Sequence, residues 1–299
     1  MLVAILGAGS WGRALATLVA EAGHQPRIGY RGRPQALGFP GSPAWAALVA
    51  EADLTLLAVP PSAVREVVVK ARPGPAAMVV VAARGLEPGT GTWLSEVVCA
   101  ESAALRVGAL TGPALAAEVL ARRPGALVAA SAYDVVQRRT QDALHSAICR
   151  VYTSGDLRGV ELSGAMVNVL AVAIGVAQGL DLGLGVRGVI VTRGIAEVVR
   201  LARAIGADPQ TPAGLAGVGD LVGAAAHSDS PGFAAGLRIG RGLAGGEGAV
   251  VEAQALLALA ARAGVDLPLT QAIAAIAANK LAPRLAIDML MRRSATSES

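Results

Sequence analysis

The apolar segment Leu2–Leu6 runs directly into Gly7-Ala8-Gly9-Ser10-Trp11-Gly12, which opens onto a helix-like stretch, Arg13–Ala20. Strand, glycine turn and helix in that order fit a narrow set of folds. The first glycine permits a tight turn, the second lets backbone approach a pyrophosphate, and the third lets the helix pack close to the strand. Phosphate then lies at the helix N-terminus, where unpaired N–H groups converge. Gly7, Gly9, Ser10, Trp11 and Gly12 are therefore candidate contacts to a dinucleotide.

The second strand of such a unit should follow near residue 26 and end beside the adenosine ribose. His24–Tyr30 supplies a short strand, and Arg31-Gly32-Arg33 stands where an acidic residue would select a free 2′-hydroxyl. Guanidinium groups bind a phosphate bidentately where a carboxylate would repel it. Arg31 and Arg33 therefore favour NADP, with NAD the alternative.

Downstream, Asp53–Val59, Met78–Ala83, Leu105–Leu110 and Gly125–Ala130 are continuous apolar runs separated by helical stretches, and each ends in a turn. Such runs suit parallel strands covered on both faces, with ligands at their carboxyl ends. From Val160 onward the apolar period is helical. The expectation is an α/β chain: a Rossmann-type, doubly wound, mostly parallel sheet over residues 1–155, then an all-helical domain over 156–299 for substrate and dimerisation. The polar end, Ser294–Ser299, is expected to fray.

Composition narrows the function. Of 299 residues, 54% are hydrophobic and 16% charged, which implies extensive burial. A net charge of +4 without a basic block, and only 3% aromatics, argue against nucleic acid as a partner. Cys99 and Cys149 lack metal-ligand spacing and read as buried small hydrophobes in a reducing, cytoplasmic setting. The mean hydropathy is +0.54, yet the apolar stretch around 169–177 falls short of the ~20 residues that span a bilayer. Core helices, without stable membrane insertion, are expected.

The ordered motifs resemble the bacterial NAD(P)-dependent glycerol-3-phosphate dehydrogenases. The resemblance rests on the glycine turn, Ala58-Val59-Pro60-Pro61, Arg84-Gly85-Leu86-Glu87, Gly112–Glu118, Gly164–Val169, Val191–Gly194, Gly214–Leu221 and Val251-Glu252. It implies hydride transfer between a nicotinamide and dihydroxyacetone phosphate or glycerol 3-phosphate, and a homodimer. By resemblance, Asn168 and Asp220 are catalytic, and Arg84, Ala116 and Glu252 join the glycine turn at the cofactor. Arg84, Gly112, Ala114, Asp220 and Ser230 are implied to meet the substrate, a triose phosphate.

Several positions depart from the family pattern. The lysine preceding the asparagine, which serves as proton donor and stabilises the alkoxide, is Val167. Arg84 replaces another lysine, Ala114 replaces a serine, and Ser230-Pro231-Gly232 stands in place of a Ser-Arg-Asn phosphate clamp. His227 and Arg187 are candidates to compensate; the plainer reading makes them a loop histidine and a structural arginine. Three functions follow: a dehydrogenase with rearranged catalytic groups, a silent NADP-binding sensor or partner subunit, and a reductase of a non-phosphorylated ketone.

Overall fold

A computed structural model describes residues 1–32, 38–226 and 230–286. Arg33, His227 and the 294–299 end lie outside the described residues. Eight strands form one sheet: β1 (Leu2–Leu6), β2 (Gln25–Gly29), β3 (Gly41–Ser42), β4 (Leu54–Leu57), β5 (Met78–Val81), β6 (Arg106–Thr111), β7 (Gly125–Ser131) and β8 (Cys149–Ser154). Their order is β3-β2-β1-β4-β5-β6-β7-β8. Six helices flank it: α1 (Ser10–Glu21), α2 (Trp45–Glu51), α3 (Pro61–Ala71), α4 (Leu94–Glu101), α5 (Ala116–Leu120) and α6 (Asp134–Leu144).

The alternation of side chains along β1 explains why its whole length is apolar. Val3 and Ile5 pack on one face with α1 and α6, while Ala4 and Leu6 pack on the other with α2, α3 and α4. All pairings are parallel except β6 with β7. That exception corrects one expectation: β7 does not end at the ligand edge. Its direction is reversed, so Ser131 lies beside Gly108 inside β6, and Val128 lies opposite Thr111. β8 alternates buried and exposed residues, as an edge strand does.

Among the described residues no strand follows β8. The chain continues as α7 (Leu157–Gly179), α8 (Leu184–Ala204), a 3₁₀ turn at Thr211–Ala213, a π-helical turn at Leu215–Gly219, then α9 (Asp220–Ala226), α10 (Pro231–Gly240), α11 (Glu247–Arg262) and α12 (Pro268–Ala277). Asp156 caps α7 by accepting from the Gly159 N–H at 2.9 Å, and its second oxygen accepts from Thr211 Oγ1 at 2.6 Å. At 23 residues α7 is long and apolar enough to cross a membrane, which corrects the length estimate above; 94% of its most apolar window is nevertheless buried inside the fold. It is a core helix surrounded by others.

Two contacts fix what lies around α7. Glu161 accepts from both the N–H (2.9 Å) and the hydroxyl (2.6 Å) of Ser95, joining α7 to α4 of the sheet layer. On the opposite side, α10 meets α7 backbone to backbone. A Cβ at Gly236 would lie 2.0 Å from the Val172 carbonyl oxygen, and one at Gly240 would lie 2.4 Å from that of Val176. Small residues every fourth position allow this approach, and it carries Gly232 to the Asn168 turn of α7.

Candidate active site

The glycine turn is built as its spacing requires. Gly7 has φ +129, and a Cβ there would lie 2.1 Å from the Ala58 carbonyl oxygen; one at Gly12 would lie 1.8 Å from the Gly7 carbonyl oxygen. Neither position accepts a side chain. Gly9, by contrast, has open space where its Cβ would stand, and Ser10 beside it is exposed. Trp11 is tied down rather than free: its Nε1 donates to the Ala82 carbonyl at 2.8 Å, joining the turn to the end of β5.

Above this turn is a recess of about 370 Å³ lined by Gly7, Gly9, Tyr30, Arg31, Trp45 and Pro60 among others. It lies at the carboxyl ends of β1, β2 and β4, where this sheet topology binds ligands. An uncrowded Gly9 at the start of α1, with the neighbouring recess, suits a dinucleotide pyrophosphate. Tyr30 and Trp45 were not signalled by the glycine pattern. Trp45 Nε1 donates to the Tyr30 carbonyl at 3.0 Å, and this bond shapes one wall.

A second cluster forms where β5 and β6 end. Arg84 follows β5, and its Nη2 donates to Asp220 Oδ1 at 2.7 Å. Gly112 follows β6 at φ +126, and its N–H lies 3.4 Å from Asp220 Oδ2. Asn168 Nδ2, on α7, donates to the Arg84 carbonyl at 3.4 Å and to Glu252 Oε1 at 3.3 Å. Segments distant in sequence thus bring Arg84, Gly112, Asn168, Asp220 and Glu252 together. The π-helical turn delivers Asp220 as the first residue of α9.

The loop carrying Arg84 is anchored behind the site. Glu87 accepts from Arg65 Nε at 2.6 Å, Arg65 Nη2 at 3.0 Å and Thr90 Oγ1 at 2.7 Å. The Arg65 bond holds the Glu87 carboxyl below its ordinary range. At the site itself the reverse holds. Burial pushes Asp220 up to about 6, against the opposing pull of Arg84, and pushes Glu252 up to about 7.

The remaining expected positions lie in the helical core, in the sheet core, or on α8 and α10. Val167 has no exposed surface and belongs to the helical core. Ala114 is buried with Val119 and Leu127 in the sheet core, and Ala116 begins α5 against the same core. Ser230 is the N-cap residue of α10 without a side-chain capping bond. Gly232 has no space for a side chain, since its Cβ would lie 2.9 Å from the Asn168 carbonyl oxygen. Arg187 binds Gln178, ten residues beyond Asn168 and thus roughly 15 Å along α7. Thr192 and Arg193 are exposed on α8. Cys149 is buried as expected, but Cys99 is exposed on the outer side of α4, where Val97 and Val98 take the inward positions. One buried hydroxyl near the site was not foreseen: Thr111 Oγ1, beside Gly112, has no hydrogen-bond partner among the described residues.

Comparison with known proteins finds one family across both halves of the chain. The model of the NAD-dependent glycerol-3-phosphate dehydrogenase N-terminus matches residues 2–36 and 42–136, and that of the C-terminus matches 156–288. Glycerol-3-phosphate dehydrogenase [NAD(P)+] of Methylibium petroleiphilum is 38% identical, with 100% of this chain and 98% of that protein covered. The protein of the same name from Bradyrhizobium diazoefficiens is also 38% identical, over 99% of this chain and 98% of its own. The crystal structure of glycerol-3-phosphate dehydrogenase from Coxiella burnetii superposes with a TM-score of 0.89 at 30% identity, covering 98% of this chain and 99% of that one. By sequence across both halves and by fold, the chain belongs to the NAD-dependent glycerol-3-phosphate dehydrogenase family.

Proposed function

We propose that this protein is an NAD(P)-dependent oxidoreductase that interconverts a small ketone and its secondary alcohol. Dihydroxyacetone phosphate and glycerol 3-phosphate are the pair its lineage indicates. The observation that carries the reading is the convergence of Arg84, Asp220, Asn168 and Glu252 at the carboxyl edge of β5 and β6, beside the glycine turn. Residues 1–155 form the cofactor half and 156–299 the substrate half in this reading, with a homodimer as the assembly.

Gly7, Gly9, Ser10 and Gly12 would hold the pyrophosphate, Trp11 would brace the turn, and Arg31 would face the adenosine end. The bound nicotinamide supplies hydride to, or accepts it from, the central carbon of the substrate. Negative charge that develops on the carbonyl oxygen needs a cation close by. Arg84 supplies one, and Asp220 orients its guanidinium while leaving other N–H groups free to donate. Burial pushes Asp220 up to about 6 and Glu252 up to about 7, which suits these two carboxyls to proton exchange near neutrality. Val167 contributes neither proton nor charge.

Loss of a general acid slows such a step by on the order of 10² to 10⁴, so positioning alone leaves measurable turnover. NADPH oxidation dependent on dihydroxyacetone phosphate tests the reading. A second reading, a silent NADP-binding subunit, is favoured by the burial of Val167 in the helical core. Micromolar NADPH binding with no oxidation by dihydroxyacetone phosphate or by unphosphorylated ketones would establish that alternative.

A further inference from the structure

Beyond the glycine turn, a second recess of about 420 Å³ is lined by Tyr30, Arg31, Gly32, Pro43, Trp45 and Lys70. It shares Tyr30, Arg31 and Trp45 with the first, so the two recesses lie side by side along the end of β2. Arg31 stands just past the end of β2, and Lys70 in the last turn of α3. Their cationic groups point to one carboxylate. Arg31 Nη1 is 3.5 Å from each oxygen of Glu66, and Lys70 Nζ is 2.6 Å from its Oε1.

Two cations from separate elements that meet on one small anion are spaced to meet on another. A phosphate monoester carries more charge and three acceptor oxygens, so it outcompetes a carboxylate for such a pair. Resting on the NAD(P) reading above, we propose that Lys70 joins Arg31 in binding the adenosine 2′-phosphate of NADP, and that Glu66 is the resident anion this phosphate must displace. Glu66 then lowers affinity for NADP while leaving NAD, which has a plain 2′-hydroxyl, little affected. Lys70 and Arg31 hold the Glu66 carboxyl below its ordinary range, so it is ionised and competes throughout neutral pH. All three side chains are about half-exposed, so substitutions here leave the core intact.

The test is calorimetric binding of NADPH, NADH, adenosine 2′,5′-bisphosphate and adenosine 5′-monophosphate to wild type, Lys70→Met and Glu66→Gln. We expect Lys70→Met to weaken NADPH and the bisphosphate about tenfold, with NADH and the monophosphate unchanged. Glu66→Gln should tighten the first two several-fold, and both effects should shrink at high salt. If Lys70→Met shifts 2′-phosphorylated and plain ligands alike, or shifts neither, the role of Lys70 is refuted while cofactor binding stands. If wild type binds none of the four ligands, the cofactor reading falls and this inference with it.

Discussion

Glu252→Gln isolates the electrostatic tension at the site. The Glu252 carboxyl is raised from 4.5 to about 7, with burial the leading cause and Arg84 opposing it. In the unfolded chain it ionises near 4.5, so wild-type stability falls as pH climbs from about 4.5 to about 7 and then levels off. The gap of 2.5 pH units at roughly 1.36 kcal/mol each corresponds to about 3 kcal/mol above pH 8. Part of the carboxyl is in reach of water, which lowers the expected value to about 1–2 kcal/mol. Glutamine is neutral at every pH and keeps an acceptor for Asn168 Nδ2. The variant should therefore melt about 2–8 °C higher than wild type at pH 8, and within about 1 °C of it at pH 4.5. Thermal unfolding followed by circular dichroism at both pH values gives the answer. Asp220 titrates in both proteins and cancels in the difference. An equal gain at both pH values, or a loss at pH 8, would refute the assignment of a strained, ionised Glu252.

Val167 is fully buried in the helical core, so Val167→Lys sets an ammonium group among apolar side chains and should cost about 3–5 kcal/mol in denaturant unfolding; a variant as stable as wild type would show that a side chain at 167 reaches water or a carboxylate. Gly236→Ala places a methyl 2.0 Å from the Val172 carbonyl oxygen and should cost about 1–3 kcal/mol in denaturant unfolding despite the better helix propensity of alanine; a stabilised variant would mean that α10 moves away from α7 freely.

Much of the sheet was legible because its signals are local. Continuous apolar runs gave β4, β5 and β6 at their carboxyl turns, and the glycine spacing gave β1 and α1. The reversal of β7 was not legible, since a strand covered on both faces reads alike in either direction. β3, two residues long, carries no period at all. At the site, the family resemblance named Arg84 and Asp220 separately, but their pairing spans 136 positions and emerges only when the sheet edge and α9 meet. Lys70 lay outside every matched motif; only its place on α3, one helical turn from Glu66, brings it to Arg31. Cys99 was misjudged as buried because its type favours the interior, whereas the period of α4 gave the inward positions to its neighbours.

The glycine-backed contact between α7 and α10 bears on how this lineage can change. Gly232 lies against the Asn168 turn with no room for a side chain. Any side chain added at that residue alone collides with main chain, so α10 must first shift along its whole length, against contacts at Gly236 and Gly240. A new side chain on this wall is therefore never a single-site event: it has to come with a new seat for the whole helix.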